Sequence, residues 1–167
     1  MDCAASAGGS AALGRPGGGG MIDRRHIGHQ LPAFQVEVEK GRLRFFAKAT
    51  GQDDAVYFDE AAALAAGHPA LPVPPTFFFC LEMESPNPAA LRELLGIDYR
   101  RLLHGEQGFT FYRMAYAGDT LTYRPQVVDI YDKRDGALEF VVRKTAVHNQ
   151  RDELVAELRC VTVVRNG

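Results

Sequence analysis

The side chains able to move a proton are few and scattered, so their spacing decides which could act together. His104 and Glu106 stand two residues apart in an extended stretch, and alternate residues of a strand share a face. They read either as a general acid/base couple or as a hydrogen-bonded pair at a strand end. Asp53 and Asp54 are adjacent carboxylates. Asp54 is a further catalytic candidate, with a solvated loop or a helix cap as the plainer use of both. His68 and His148 lie beside turns with no companion at ligand spacing, which predicts no metal site. Three cysteines, Cys3, Cys80 and Cys160, form no CxxC pair. Cys80 and Cys160 sit in apolar segments and read as small buried hydrophobes in a reducing, cytoplasmic setting. A catalytic cysteine with a remote histidine is the alternative.

The elements that must position these groups follow from periodicity. Residues 34–39, FQVEVE, alternate apolar and polar as a half-buried strand does. Leu43, Phe46, Ala47 and Thr50 recur at helical spacing, with Gly51 placed as the C-terminal cap. Asp59 is the natural N-cap of a second short helix that stops at Gly67. Four prolines in 68–75 then make a stiff, extended entry to residues 76–83, TFFFCLEM. That run is apolar nearly all round, which predicts a buried helix, with a strand as the competing reading. Asn87-Pro88 starts a further helix that Gly96 ends. From about residue 103 the pattern turns to β. Phe109 and Phe111 alternate with polar neighbours. Residues 121–131 form a strand in which Pro125 marks an edge or a bulge. A charged hairpin loop at 132–136 follows, then Leu138, Phe140 and Val142 on one face, and finally Leu154, Ala156, Leu158 and Cys160.

One strand, several helices and about four long antiparallel strands predict an α+β fold with a sheet covering one buried helix. The chain has 167 residues, 46% hydrophobic and 24% charged, which suits a single domain. Residues 21–167 form that domain on this reading. Residues 1–20, almost all small residues and glycine, read as a flexible extension or as lying upstream of a functional start at Met21. The formal net charge of -2 and the lack of a basic run argue against nucleic acid or an anionic membrane as partners. Valines on both faces of the last strands suggest that a partner subunit covers part of the outer face.

Three stretches carry a family resemblance: AKATGQDDAVYFDEAAALAAGHPALPVPPTF, then LLHGEQGFTFYRMAYAGDTL, then LEFVVRKTAVHNQRDELVAELRCVTVVR. Together they resemble the MaoC-like dehydratase N-terminal-type domain of hydroxyacyl-thioester dehydratases, over residues 28–165. The resemblance implies a single hot-dog fold, in which an antiparallel sheet wraps one long central helix. It also implies water addition or removal on a 2-enoyl thioester, with coenzyme A or acyl carrier protein as the carrier and no cofactor. Active members carry G-D-x-N-P-x-H, whose aspartate and histidine form the acid/base pair. Here the matching residues 51–57 read GQDDAVY, so Gln52 and Tyr57 occupy those positions. An amide cannot accept a proton near neutral pH, and a phenol is a poor base. The family's oxyanion donor, a backbone N–H in an A-H-G segment, falls on Val73-Pro74-Pro75, and proline has no N–H.

Loss of base, acid and donor together implies a substrate-binding hot dog whose partner hot dog supplies catalysis. Tyr57, Phe77, Phe78 and Phe79 would line the acyl path. A homodimer or heterodimer is expected, since pairing closes an open sheet edge. Two alternatives stay open: an autonomous thioesterase or dehydratase, and a non-enzymatic acyl-thioester-binding domain. Some hot-dog thioesterases place a carboxylate on the central helix, which draws attention to Glu82 and Glu84, although these read more simply as that helix's wet end. Arg113 and Lys144 could meet coenzyme A phosphates, or simply be solvated.

Overall fold

A computed structural model describes residues 21–166; the expectations for residues 1–20 and for Cys3 fall outside them. The element order is β1 (Phe34–Glu37), α1 (Lys40–Ala49), α2 (Glu60–Ala65), α3 (Phe77–Glu82), α4 (Ala90–Leu95), β2 (Leu102–Phe111), β3 (Thr120–Lys133), β4 (Leu138–His148) and β5 (Leu154–Arg165). The strands form one antiparallel sheet in the order β1-β3-β4-β5-β2. β3, β4 and β5 are thus a meander, and the chain's two earliest strands add to its outer edges.

Helix α3 packs Phe77, Phe78 and Leu81 against Val36 of β1, Leu121 and Tyr123 of β3, Val147 of β4 and Leu158 of β5. This is the sheet-around-helix arrangement that the hot-dog resemblance implies. The helix is shorter than expected, a turn and a half. Pro86 and Pro88 follow closely, and the last backbone bonds, from Glu84 and Ser85 to Leu81 and Glu82, tighten into single turns. A second cluster joins Ile22, Leu31, Leu91 of α4 and Ile97 to Val127, Ile130, Val141 and Val164 at the other end of the same sheet face.

Parity along β4 differs from the simplest reading. Leu138, Phe140 and Val142 do share a face, but it is the outer one. The inner face carries Glu139, Val141, Arg143, Thr145 and Val147, of which only the valines advertise burial in sequence. On the outer face Val142 and Val161 are already buried within the single chain, so these valines need no partner subunit to cover them.

Pro125 sits where β1 has ended, and its carbonyl accepts from Leu31 N at 2.9 Å. Its missing N–H points the same way as that carbonyl, toward residues 30–33 and away from β4, so no ladder bond to β4 is lost and proline is tolerable there. The register shift in β3 follows at Val127/Asp129. Between β3 and β4, Arg134, Asp135 and Gly136 all take positive φ.

Candidate functional site

The residues 51–59 are shaped by three successive caps. Gly51 takes φ 72° after α1, its N–H donates to Lys48 O at 3.2 Å, and Gln52 N donates to Ala47 O at 2.9 Å. This double closure fixes the backbone of Gln52. Asp54 then accepts from Val56 N at 3.1 Å, holding the short turn Ala55–Tyr57. Asp59 accepts from Ala62 N at 2.8 Å and starts α2. Asp54 therefore serves as a cap, the plainer of its two expected uses. Gln52 and Tyr57 are half-buried.

The segment before α3 has one N–H to offer. Val73 N donates it to Ala115 O at 2.9 Å, while Pro74 and Pro75 have none and Pro74 O accepts from Phe77 N. No N–H of residues 73–75 is left to meet an oxyanion.

The His104–Glu106 couple does not survive folding. A β-bulge falls between them: His104 pairs with Thr162, and Glu106 with Val161. Adjacent partners on β5 face opposite sides, so the two side chains do as well. His104 turns inward and meets the edge of Phe79 at 5.5 Å between ring centres. Glu106 turns outward to Arg159, 2.6 Å away. The bulged residue is Gly105, where an added Cβ would meet Val163 Cγ2 at 2.7 Å and Val161 O at 3.0 Å.

Of the expected acyl-path residues, Phe77 and Phe78 are core. Phe77 packs on Phe46 at 4.9 Å with the Arg42 guanidinium over its ring, and Phe78 meets Phe111 at 5.8 Å. Phe79 and Tyr57 are half-buried. Lys144 is exposed in the middle of β4 and Arg113 is exposed past the end of β2. His68 meets Tyr116 at a tilt, with 5.9 Å between ring centres. Among the described residues no cluster of histidine, cysteine or carboxylate is arranged for a metal ion. No helix among them is long and apolar enough to cross a membrane.

The two glutamates of the 76–83 run and its end part company. Glu84 is at the surface in an ion pair with Arg42. Glu82 is 3% exposed, so it is not the wet end of the helix. It accepts from the Thr145 hydroxyl through Oε1 and lies 3.0 Å from Arg143 Nη2 through Oε2. That second contact is off the line of a hydrogen bond, so Glu82 Oε2 and Arg143 Nε have no hydrogen-bond partner among the described residues. Tyr123, fully buried, donates to Phe78 O at 3.1 Å. Burial first, and then the nearby Glu82 and Glu84, push its phenol well above the ordinary tyrosine range. Burial likewise pushes the Cys80 and Cys160 thiols up, the direction of inert rather than nucleophilic cysteines. Sequence reasoning missed Arg143 altogether. Its signal was parity: it stands two residues from both Val141 and Thr145 on a strand whose inner face they mark.

Glu82 and Arg143 line a pocket of about 130 Å³, walled by Leu31, Phe34, Met83, Leu91 and Pro125. It opens where α3, the start of α4 and residues 31–34 meet the inner face of β3 and β4.

A family model described as "FAS1-like, dehydratase domain region" matches residues 25–158. A UPF0336 protein of Streptomyces griseus is 32% identical over 86% of this chain and 95% of its own length. Among solved structures, the C-terminally truncated HadBC (3R-hydroxyacyl-ACP dehydratase) complex of Mycobacterium tuberculosis aligns with a TM-score of 0.68 at 26% identity, over 83% of this chain and 96% of that one. A MaoC-like dehydratase of Rhodospirillum rubrum aligns with a TM-score of 0.67 at 18% identity, over 84% and 93% of the two chains.

Proposed function

This chain belongs to the FAS1-like dehydratase-region family as a MaoC-like hot-dog domain, and from that premise we propose that it is the substrate-binding subunit of an enoyl-thioester hydratase/dehydratase. In this reading it holds an acyl-CoA or acyl-ACP, and a partner hot dog supplies the acid/base pair. The observation that carries it is the joint loss at three places: Gln52 for the base, Tyr57 for the acid, and a 73–75 backbone with no N–H to give. An enoyl thioester gains negative charge on its carbonyl oxygen as water adds, and it needs both a proton acceptor and donors to that oxygen. Tyr57 and Phe79, half-buried, would border the acyl chain, backed by Phe77 and Phe78.

The edge strand β2 suits the docking of a second hot dog. It has β5 on one side and, among the described residues, no strand on the other. Leu103, Phe111, Tyr112 and Met114 are exposed along it and just beyond it. An open edge of this kind is a template for another strand. The likeness to a dehydratase complex supports the same reading.

The test is loss of enoyl absorbance when the purified chain is given a 2-enoyl-CoA. The expected result is no turnover by the chain alone, and turnover once a hot dog with an intact aspartate–histidine loop is added. Robust turnover by the single chain would overturn the assignment.

A further inference from the structure

We propose that the outer face of the sheet is a self-association surface, which takes a second copy of this chain about a two-fold axis lying along one row of side chains. The surface is separate from the β2 edge and requires no catalytic partner. Its failure and failure of the subunit reading are therefore separate results.

Register builds the row. Tyr131 on β3 pairs with Phe140 on β4, Phe140 with Val163 on β5, and Val163 with Leu103 on β2. Four apolar side chains therefore cross the sheet in one line, about 15 Å from the first strand to the last. Leu103 is exposed and the other three are half-buried. The four helices send Leu43, Ala63, Phe77 and Leu91 to the clusters on the inner face, so among the described residues no helix covers the row. An apolar line on a bare sheet face suits packing against another sheet.

Charge selects the occupant. One flank of the row is basic, with Lys133 and Arg165 on either side of Leu138. The other flank is acidic, with Asp129 and Glu106 on either side of Val142 and Val161. All four charged residues are exposed. Glu106 already holds Arg159, but Lys133, Arg165 and Asp129 have no ion-pair partner among the described residues. Lys133 Nζ lies 5.1 Å from the centre of the Phe140 ring and 5.8 Å from that of Tyr131, which keeps it beside the row. Asp129 is four residues away along the same strand, about 13 Å, too far for the two to pair within one chain.

A two-fold axis along the row lays one sheet face on the other with each strand opposite its own copy. The basic flank then meets the acidic flank. Lys133 faces the partner's Asp129, Asp129 faces the partner's Lys133, and Arg165 comes beside the partner's Glu106, one strand over. Packed sheets lie about 10 Å apart, a gap that a lysine and an aspartate span together. An axis along the strands would instead set Lys133 against the partner's Arg165, and like charges so placed repel. The charges therefore select one closed, isologous pair. Its area is small beside a standard interface, so association depends on concentration.

The experiment is sedimentation velocity of the full chain over a concentration series. The mass is expected to double as concentration rises. Asp129→Lys and Lys133→Glu each set like charges face to face, and each should weaken association at least about tenfold. Mixing the two variants restores both opposite-charge pairs, so the mixture should associate as the parent does. The proposal is overturned by a parent that does not self-associate, which leaves the row to a different partner. It is overturned equally by single variants that associate like the parent, the result if only the β2 edge pairs, or by a mixture of folded variants no tighter than either alone. Should a charge variant not fold, Tyr131→Glu takes its place: it meets its own copy on the axis and must weaken association to the same degree.

Discussion

Replacing Arg143 with methionine takes the cation from beside Glu82 and leaves a carboxylate in the interior with one hydroxyl, that of Thr145, for company. Breaking a buried pair from one side costs about 3–5 kcal/mol. Glu82 is almost wholly enclosed, but the Arg143 side chain keeps 17% exposure, and water entering where the guanidinium stood would soften the loss toward the lower figure. For a domain of this size each kcal/mol moves the midpoint by roughly 2–4 °C, so Arg143→Met should lower Tm by about 6–12 °C. The double variant Glu82→Met/Arg143→Met removes both charges and refills the space with apolar volume. Such replacements are commonly neutral or stabilising, so it should recover to within about 1 kcal/mol of the parent and show a coupling energy of at least about 2 kcal/mol. The assay is a double-mutant cycle by urea denaturation, with thermal unfolding beside it. Additive effects, or an Arg143→Met loss below about 0.5 kcal/mol, the range of ordinary surface changes, would refute the picture of a dry, coupled pair.

Three further outcomes are expected. Gly105→Ala forces a Cβ against Val163 Cγ2 and the Val161 carbonyl, and urea denaturation should register a loss of about 1–3 kcal/mol, as overpacking typically costs; Val163→Ala in the same chain should recover part of it. Asp59→Ala deletes the cap bond to Ala62 N and should cost about 1 kcal/mol in the same measurement. Because the folded pKa of Tyr123 is raised, its contribution to stability is whole below the unfolded tyrosine pKa of about 10 and is lost as pH climbs beyond it, by up to about 1.4 kcal/mol per pH unit. Phenolate absorbance at pH 11 should therefore leave Tyr123 un-ionised until the chain unfolds, and Tyr123→Phe should flatten the alkaline loss of stability.

Much of the fold could be read from local chemistry. Gly51 and Gly96 both end helices in the left-handed region, at φ 72° and 63°, and Asp59 caps the helix it precedes. These features depend on a few neighbouring residues, which is why spacing finds them. The site was less legible, because its geometry depends on pairings remote in the chain. The Gly105 bulge turns His104 and Glu106 to opposite faces, and the lone glycine between them was the one local sign that alternation slips there. Glu82 and Arg143 look like surface charges on their own elements; only the packing of α3 onto β4 makes them a buried pair. Phe77 and Phe78 share an apolar run with Phe79, and only the fold shows that the first two turn to the sheet with Leu81 while Phe79 and Cys80 stay half-buried. The loop 51–57 was the exception. There the informative feature was the substitution of Gln52 and Tyr57 for ionisable groups, which requires no three-dimensional knowledge to see.

The sheet order has a consequence for how the molecule comes together in time. β3, β4 and β5 follow one another through short turns, so closing each hairpin orders little chain. β1 must instead find β3 across all the intervening helices, as Val36 meets Leu121, and β2 must find β5 across two whole strands, as Phe109 meets Leu158. Long closures come late and slowly. The central hairpins are therefore the natural nucleus, with β4, paired on both flanks, its most protected strand, and the two outer strands the first to open and the last to close. β2, the edge strand proposed above to dock a second hot dog, is thus also among the last parts of the sheet to form, so on that proposal assembly would be linked to the completion of folding.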